Sequence, residues 1–130
     1  MKKAALILVM VLFINILTGC GSNKPPANVR QEIYDIAIEV LSDCDLYLDG
    51  KISLSSSYER IGKTREQLKN IGGFSNEEDK IYSTILEISN IFFYGVHERN
   101  RKIDLDKIND DILKYRNRLA ERSNQPLREK

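Results

Sequence analysis

The chain has few of the residues that usually build metal and catalytic sites. It contains two cysteines and one histidine among 130 residues. The histidine, His97, lies in Val-His-Glu-Arg rather than in a zinc-binding His-Glu-x-x-His, and a zinc site needs three or four ligands. The chain also lacks a glycine-rich phosphate loop, a nucleophile elbow and a recognisable Ser/His/Asp set. The sequence therefore predicts no metal, no cofactor and no enzymatic activity.

An excess of charge of either sign is also missing. The chain carries 20 basic and 19 acidic residues, so its formal net charge is +1. Proteins that bind nucleic acid normally present a basic surface, because they must neutralise phosphates. The even balance of charge therefore predicts that nucleic acid is not a partner.

The chain has one extended apolar run, and this run is too short to span a membrane. Residues 4–17 contain Asn15 as their one polar residue and follow Lys2 and Lys3. A membrane-spanning helix needs ~20 apolar residues. A run of this length behind a positive start is instead typical of a secretory signal peptide. The sequence therefore predicts a signal peptide that is removed from the mature protein.

The residues that close this run, Leu17-Thr18-Gly19-Cys20, resemble the lipobox of bacterial lipoproteins. That pattern is Leu-(Ala/Ser/Thr)-(Gly/Ala)-Cys, and every position matches. The resemblance implies that the Cys20 thiol receives a diacylglyceryl group and that the chain is cut between Gly19 and Cys20. Two or more acyl chains anchor a protein stably, whereas one binds marginally. The resemblance covers only the start of the chain and does not identify the remaining domain.

The lipobox also implies a location and a division of the chain. We expect a protein anchored by lipid to the extracytoplasmic face of a cell membrane. Residues 1–19 would be the signal peptide, 20–27 the lipidated cysteine and a tether, 28–122 a folded domain and 123–130 a disordered tail. The alternatives are an uncleaved transmembrane helix and cleavage at another position without lipid.

The second cysteine, Cys44, would then have no partner for an internal disulfide. It lies on an apolar stripe four residues after Val40. This position predicts a small buried side chain. A reactive thiol and an intermolecular disulfide are the alternatives.

Four segments after the tether carry apolar residues at steps of three and four, which is typical of amphipathic helices. The predicted helices span residues 28–48, 56–71, 76–97 and 105–122. The predicted N-terminal signals are the capping boxes Asn28/Gln31, Ser56/Glu59 and Ser75/Glu78, and the cap Asp104. No stretch alternates with the period of a strand. Because the linkers are short, we expect an all-α, antiparallel, up-down-up-down four-helix bundle. A three-helix core with a loosely packed second helix is the alternative.

Residues 45–53 partly resemble the calcium-binding loop of an EF-hand, with Gly50 at the turn. However, Tyr47 stands in place of an oxygen ligand. Ser56 stands where the bidentate acid should be, and that acid supplies two of the oxygens that Ca²⁺ needs. The pattern therefore favours a helix end followed by a turn.

Two surfaces are candidate partner sites. A tether at the start of the first helix places the loops after helices one and three together at the far end of the bundle, and loops often carry binding sites. The candidates at this tip are Asp45, Asp49, Arg99, Arg101 and Lys102. The candidates on the flank of helix three are Tyr82, Leu86 and Phe93. The simpler interpretations are mutual neutralisation of the tip charges and packing of the flank on a neighbouring helix.

These observations predict a membrane-anchored, non-enzymatic protein-binding or accessory module at the cell surface. Its expected partner is another envelope protein, and a homodimer is also considered. The first alternative is an exclusion or immunity-type lipoprotein of phages or mobile elements, which rests on analogy of size and anchoring. The second is an enzyme without a recognisable motif.

Overall fold

The computed structural model describes residues 23–98 and 103–130. Within these ranges the chain forms four helices and no strand. The helices are α1 (Gln31–Leu48), α2 (Leu54–Ile71), α3 (Asn76–His97) and α4 (Leu105–Arg122). The predicted all-α class is confirmed.

The helices form an antiparallel bundle in which each helix packs on two neighbours. α1 contacts α2 and α4, and α3 contacts the same two helices from the opposite side. The start of α1 meets the end of α4, where the Gln125 side-chain amide donates to Tyr34 Oη at 2.9 Å. The end of α1 meets the start of α4, where Tyr47 Oη donates to Asn109 Oδ1 at 2.8 Å. These contacts give the up-down-up-down order that the short linkers predict.

α2 is an integral helix of the bundle, so the alternative of a three-helix core is not observed. Its Ile61 and Leu68 side chains are fully buried. Burying a side chain of this size contributes ~1.5–3 kcal/mol. Each helix adds apolar residues to one shared core, which lies within residues 29–120. Its largest buried apolar side chains are Ile33, Val40, Ile61, Leu68, Ile81, Ile85, Ile88, Phe92, Ile112 and Leu119.

The predicted N-terminal caps of α3 and α4 are confirmed. Ser75 Oγ accepts a hydrogen bond from the Glu78 N–H, and the Glu78 carboxylate accepts one from the Ser75 N–H at 3.0 Å. At α4, Asp104 Oδ1 accepts from the Lys107 N–H at 3.0 Å. These side chains satisfy N–H groups that have no partner inside the helix.

The predicted caps of α1 and α2 are wrong. Asn28 has a φ of 63°, in the left-handed region that asparagine tolerates better than most residues, so the chain turns there and α1 begins later. α2 begins earlier than predicted, because Ser53 Oγ accepts the hydrogen bond from the Ser56 N–H. Ser56 is therefore inside the first turn rather than before it.

An ion pair ties the start of α1 to the start of α3. The Arg30 guanidinium donates to both oxygens of the buried Glu78 carboxylate, with Nε and Nη2 each at 2.9 Å. The Arg30 backbone N–H also donates to this carboxylate at 2.8 Å. These charge-assisted hydrogen bonds lower the pKa of Glu78 to about 2. The contact fixes the direction in which the chain enters the bundle.

Residues 123–130, for which the sequence predicts a disordered tail, lie against the bundle in the structure. They turn back after α4 and run along the groove between α1 and α4. Side chains from both helices supply hydrogen-bond partners, among them Asn117 and Asp49. The polar composition of the tail favours disorder, but its polar groups form hydrogen bonds with residues that are distant in sequence.

Candidate functional site

Several predicted site residues lie outside the described part of the chain. These are the lipobox residues Gly19 and Cys20 and the basic tip residues Arg99, Arg101 and Lys102. The structure places the remaining candidates, which fall into two groups on different sides of the bundle.

The acidic tip residues are already paired within the chain. Asp45 accepts hydrogen bonds from Arg116, with Nε at 3.0 Å from Oδ1 and Nη2 at 2.9 Å from Oδ2. Asp49 Oδ1 accepts from Arg128 Nη2 at 2.6 Å, and this hydrogen bond holds the pKa of Asp49 below its usual value. The two carboxylates that the sequence assigns to a tip patch therefore hold the end of the chain.

The rest of this arrangement holds the tail by its backbone. The Asn117 side-chain amide donates to the Arg128 carbonyl, and the Arg128 N–H donates to Asn117 Oδ1, both at 2.8 Å. Arg116 Nη1 donates to the Pro126 carbonyl at 2.7 Å. We call Asp45, Asp49, Arg116 and Asn117 the tail clamp. Sequence reasoning missed it, because its paired members Asp45 and Arg116 are 71 residues apart.

The flank of α3 divides into two parts with different surroundings. Tyr82 is half-buried, and its ring packs on Phe74 in the α2–α3 loop with the centroids 5.0 Å apart. Leu86 is also half-buried, whereas the Phe93 side chain is 41% exposed. Tyr82 and Phe93 are eleven residues apart, or roughly 16 Å along the helix. Tyr82 therefore packs against the core and the α2–α3 loop, whereas Phe93 belongs to a different cluster.

Phe93 is the centre of an exposed group of rings at the end of the bundle. Its ring stacks on His97 with the centroids 4.2 Å apart and lies 6.0 Å from Tyr58 of α2. Tyr94 packs edge-on against Phe93 at 5.7 Å and is 61% exposed. We call Tyr58, Phe93, Tyr94 and His97 the aromatic cluster. The sequence predicts Phe93 as a flank candidate and assigns His97 to the loop after the same helix, and the structure brings the two rings together. Tyr94 and His97 follow Phe93 by one and four residues on the last turns of α3, and this spacing is the sequence signal for the cluster.

A cleft of about 370 Å³ opens beside this cluster, between the end of α3 and the start of α4. Its apolar wall includes Ile91, Ile108 and the side of Tyr94. Nearby, Leu105 is 54% exposed at the first position of α4. Exposed apolar and aromatic groups therefore surround the end of α3, at the end of the bundle opposite the start of α1.

Asp43 of α1 is a buried carboxylate and so does not belong to an exposed charged tip. Asp43 Oδ1 accepts from Arg60 Nε at 2.8 Å and faces Arg60 Nη2 at 2.7 Å. Asp43 Oδ2 is buried and has no hydrogen-bond partner among the described residues. The ion pair links α1 to α2 close to the core.

The neighbouring Cys44 is fully buried, as its position on the apolar stripe predicts. Burial raises the pKa of its thiol well above the usual range, because a thiolate there would lose its hydration. The nucleophilic form is the thiolate. Cys44 is therefore not placed to react as a nucleophile in this structure.

Among the residues that the structure describes, no three His, Cys, Asp or Glu side chains are arranged so that they could hold a metal ion. None of the four helices combines the length and the apolar content needed to span a membrane.

Comparisons with known proteins complete this description. The chain matches no protein-family model, no curated protein and no solved structure.

Proposed function

We propose that this chain is a lipid-anchored lipoprotein on the extracytoplasmic face of a cell membrane, and that it binds another envelope protein through the free end of its bundle. The resemblance of Leu17-Thr18-Gly19-Cys20 to a lipobox supports the anchor. The observation that carries the binding surface is the exposure of the aromatic cluster at the end opposite the tether.

The geometry supports this orientation. The tether leads into the start of α1, which lies beside the start of α3. α3 has 22 residues and is therefore roughly 33 Å long. The aromatic cluster at its far end would project about this distance from the anchored end, where a partner in the same membrane or beyond it can reach it.

The exposed groups favour a protein partner over a small molecule. Phe93 and Tyr94 leave large ring surfaces in water, and aromatic residues are enriched in the centres of protein interfaces. The adjacent cleft is open and has an apolar wall and a rim of Glu98, Asp104 and Lys107. An apolar centre with a charged rim is the usual layout of a protein-binding surface.

The anchor is tested by labelling cells with a palmitate analogue. Cys20→Ser should abolish acylation and block lipoprotein-type cleavage, because the thiol is the acceptor. Cys44→Ala is the matched control and should be labelled like the wild type, since its thiol is buried. Wild-type labelling of the Cys20→Ser variant would contradict the anchor.

The binding surface is tested by cross-linking in membranes followed by pull-down. Phe93→Ser combined with Tyr94→Ser should remove a discrete cross-linked partner band. Leu127→Ser is the control, because Leu127 is also exposed (57%) but lies on the tail. If the double variant keeps the band at wild-type strength, the aromatic cluster is not the binding surface.

A further inference from the structure

The last residues of the chain occupy a groove without joining the core. A cleft of about 300 Å³ lies beside the segment, and its wall includes Leu41, Leu46, the clamp residues Asp45, Asp49 and Arg116, and Gln125 and Pro126 of the segment itself. None of residues 124–130 is buried, and Leu127 is 57% exposed. Hydrogen bonds and ion pairs at the surface therefore hold the segment, and such contacts exchange readily with water.

The groove recognises two features of this segment. The first is its backbone, because Asn117 pairs with both the N–H and the carbonyl of Arg128, and Arg116 donates to the Pro126 carbonyl. These hydrogen bonds involve backbone N–H and carbonyl groups of the segment, so they could form with an extended main chain of another sequence. Leu127 between them is exposed to solvent, so its identity is free to vary.

The second feature is one guanidinium group. Arg128 Nη2 lies 2.6 Å from Asp49 Oδ1, and Arg128 Nη1 lies 3.4 Å from Asp45 Oδ1. Asp45 also binds Arg116, so its charge is partly compensated without the tail. Asp49 would then keep only Lys51, whose exposed ammonium lies 4.0 Å away and offers no paired donors. The empty groove would therefore favour another arginine at the position of Arg128.

The groove does not depend on the tail for its shape. Both oxygens of Asp45 accept hydrogen bonds from Arg116, and this contact between α1 and α4 does not involve the tail. Asn117 lies on α4, and Asp45 on α1, so the helices place both residues. Departure of the tail would therefore leave the clamp in position.

From these contacts we infer that the groove between α1 and α4 is a binding site for an extended, arginine-bearing segment of a partner protein, and that residues 124–130 cover it as a built-in ligand until that segment displaces them. This inference goes beyond the proposed function, since it concerns another face of the bundle and requires neither the lipid anchor nor the aromatic cluster.

The test uses the full chain in detergent and a fluorescent peptide with the sequence of residues 124–130, Asn-Gln-Pro-Leu-Arg-Glu-Lys. Arg128→Glu should release the tail by placing a third carboxylate beside Asp45 and Asp49, while it leaves the clamp intact. Lys130→Glu is the matched control, because it makes the same change of charge in the same segment at a residue that contacts Asp110 instead. Anisotropy titrations then compare the affinity of the peptide for each chain.

We expect the Arg128→Glu chain to bind the peptide at least tenfold more tightly than the wild type or Lys130→Glu, because its own tail no longer competes. Adding Asn117→Ala should weaken that binding at least tenfold. A peptide with alanine in place of arginine should fail to compete. Equal binding by all the chains, no saturable binding, or indifference to the arginine would each overturn the inference.

The groove could instead hold the tail of a second copy of this chain, and sedimentation of the wild-type chain at rising concentration tests this alternative. The inference requires a monomer whose tail closes its own groove. If the wild type forms dimers that Arg128→Glu abolishes, the occupant is the tail of a second copy, and the assignment to a partner protein is wrong. None of these results depends on acylation or on cross-linking at the aromatic cluster, so failure here is distinct from failure of the proposed function.

Discussion

The two ends of the bundle differ in how completely their side chains are engaged. One end is where α1 begins, and we call it the tethered end because the proposed anchor would precede it. There, Arg30 and Glu78 join α1 to α3, and Ser75 Oγ donates to the Asn28 carbonyl at 2.6 Å. On the same side, Arg122 of α4 donates to the Lys80 carbonyl and to the Thr84 hydroxyl of α3. Each contact crosses between elements, so this end is built to hold the chain together.

The far end instead leaves large side chains in water. Phe93, Tyr94 and Leu105 are 41%, 61% and 54% exposed. Their exposure contributes little to the stability of the isolated chain, because area that stays in water yields no hydrophobic gain. The far end has cross-links of its own, such as Tyr47 with Asn109 and Asp49 with Arg128. The ends therefore differ less in how they are held together than in how much apolar and aromatic surface the far end leaves available for a partner.

The largest effect is expected from breaking the core that both ends share. Ile85→Asp places a carboxylate at a fully buried position in the middle of α3. An unpaired buried charge costs several kcal/mol, so we expect a loss of more than about 4 kcal/mol and an unfolded chain. Far-UV circular dichroism of residues 23–130, which carry the whole described core, measures the helix content. The exposed Ser83→Asp on the same helix should keep the wild-type spectrum.

The next effect concerns the ion pair at the tethered end. Glu78→Gln keeps the shape of the side chain but removes the charge that binds Arg30, and we expect a loss of about 2 kcal/mol. Asp79→Asn is the control, because it removes an exposed acidic charge from the same helical turn and should cost less than about 0.5 kcal/mol. Urea unfolding measures both. Equal losses would show that the helix dipole, and not the contact with Arg30, makes this end stable.

The same ion pair predicts a pH dependence. The hydrogen bond from Arg30 lowers the pKa of Glu78 from 4.5 to about 2 in the folded chain. A lowered pKa stabilises the fold above the unfolded value and loses that contribution as the pH falls. The difference in Tm between the wild type and Glu78→Gln should therefore be full above about pH 5 and shrink steadily toward pH 2. A difference that stays constant down to pH 2 would contradict the assignment.

A smaller difference in stability is expected between alanine substitutions at two helical glycines, Gly62 and Gly95. A Cβ on Gly62 would meet nothing within 4 Å, so Gly62→Ala should stabilise the chain by about 0.8 kcal/mol through helix propensity. A Cβ on Gly95, near the far end, would lie 3.0 Å from Leu54 Cδ2 and 3.1 Å from Ile108 Cδ1. This crowding should cancel the gain at Gly95→Ala. Thermal unfolding of the two variants checks the contrast, and equal gains would show that the far end is loosely packed.

The features that the sequence predicts correctly depend on neighbours along the chain. The caps Ser75 and Asp104 each bind a backbone N–H three residues ahead, so they can be read directly from the sequence. The core stripes follow from the helical period in the same way. The predicted start of α1 is wrong, because Arg30, which precedes the helix, binds Glu78, and this partner lies 48 residues away.

The candidate sites show the same limit. The helical angles place Phe93 on a flank, but its exposure depends on where α2 places Tyr58. The polar composition of the tail predicts disorder, whereas the structure pairs its Arg128 with Asp49, which is 79 residues away. Patterns along the chain cannot show which distant side chains are in contact. Both the aromatic cluster and the tail clamp depend on such contacts.

The contrast between the two ends is tested most directly by photo-cross-linking in intact membranes. A photoreactive phenylalanine analogue replaces Tyr94 at the far end in one chain and the exposed Asn76 at the tethered end in another. We predict a discrete adduct with one envelope protein from position 94 and none with that protein from position 76. The same adduct from both positions, or an adduct from position 76 alone, would contradict the account.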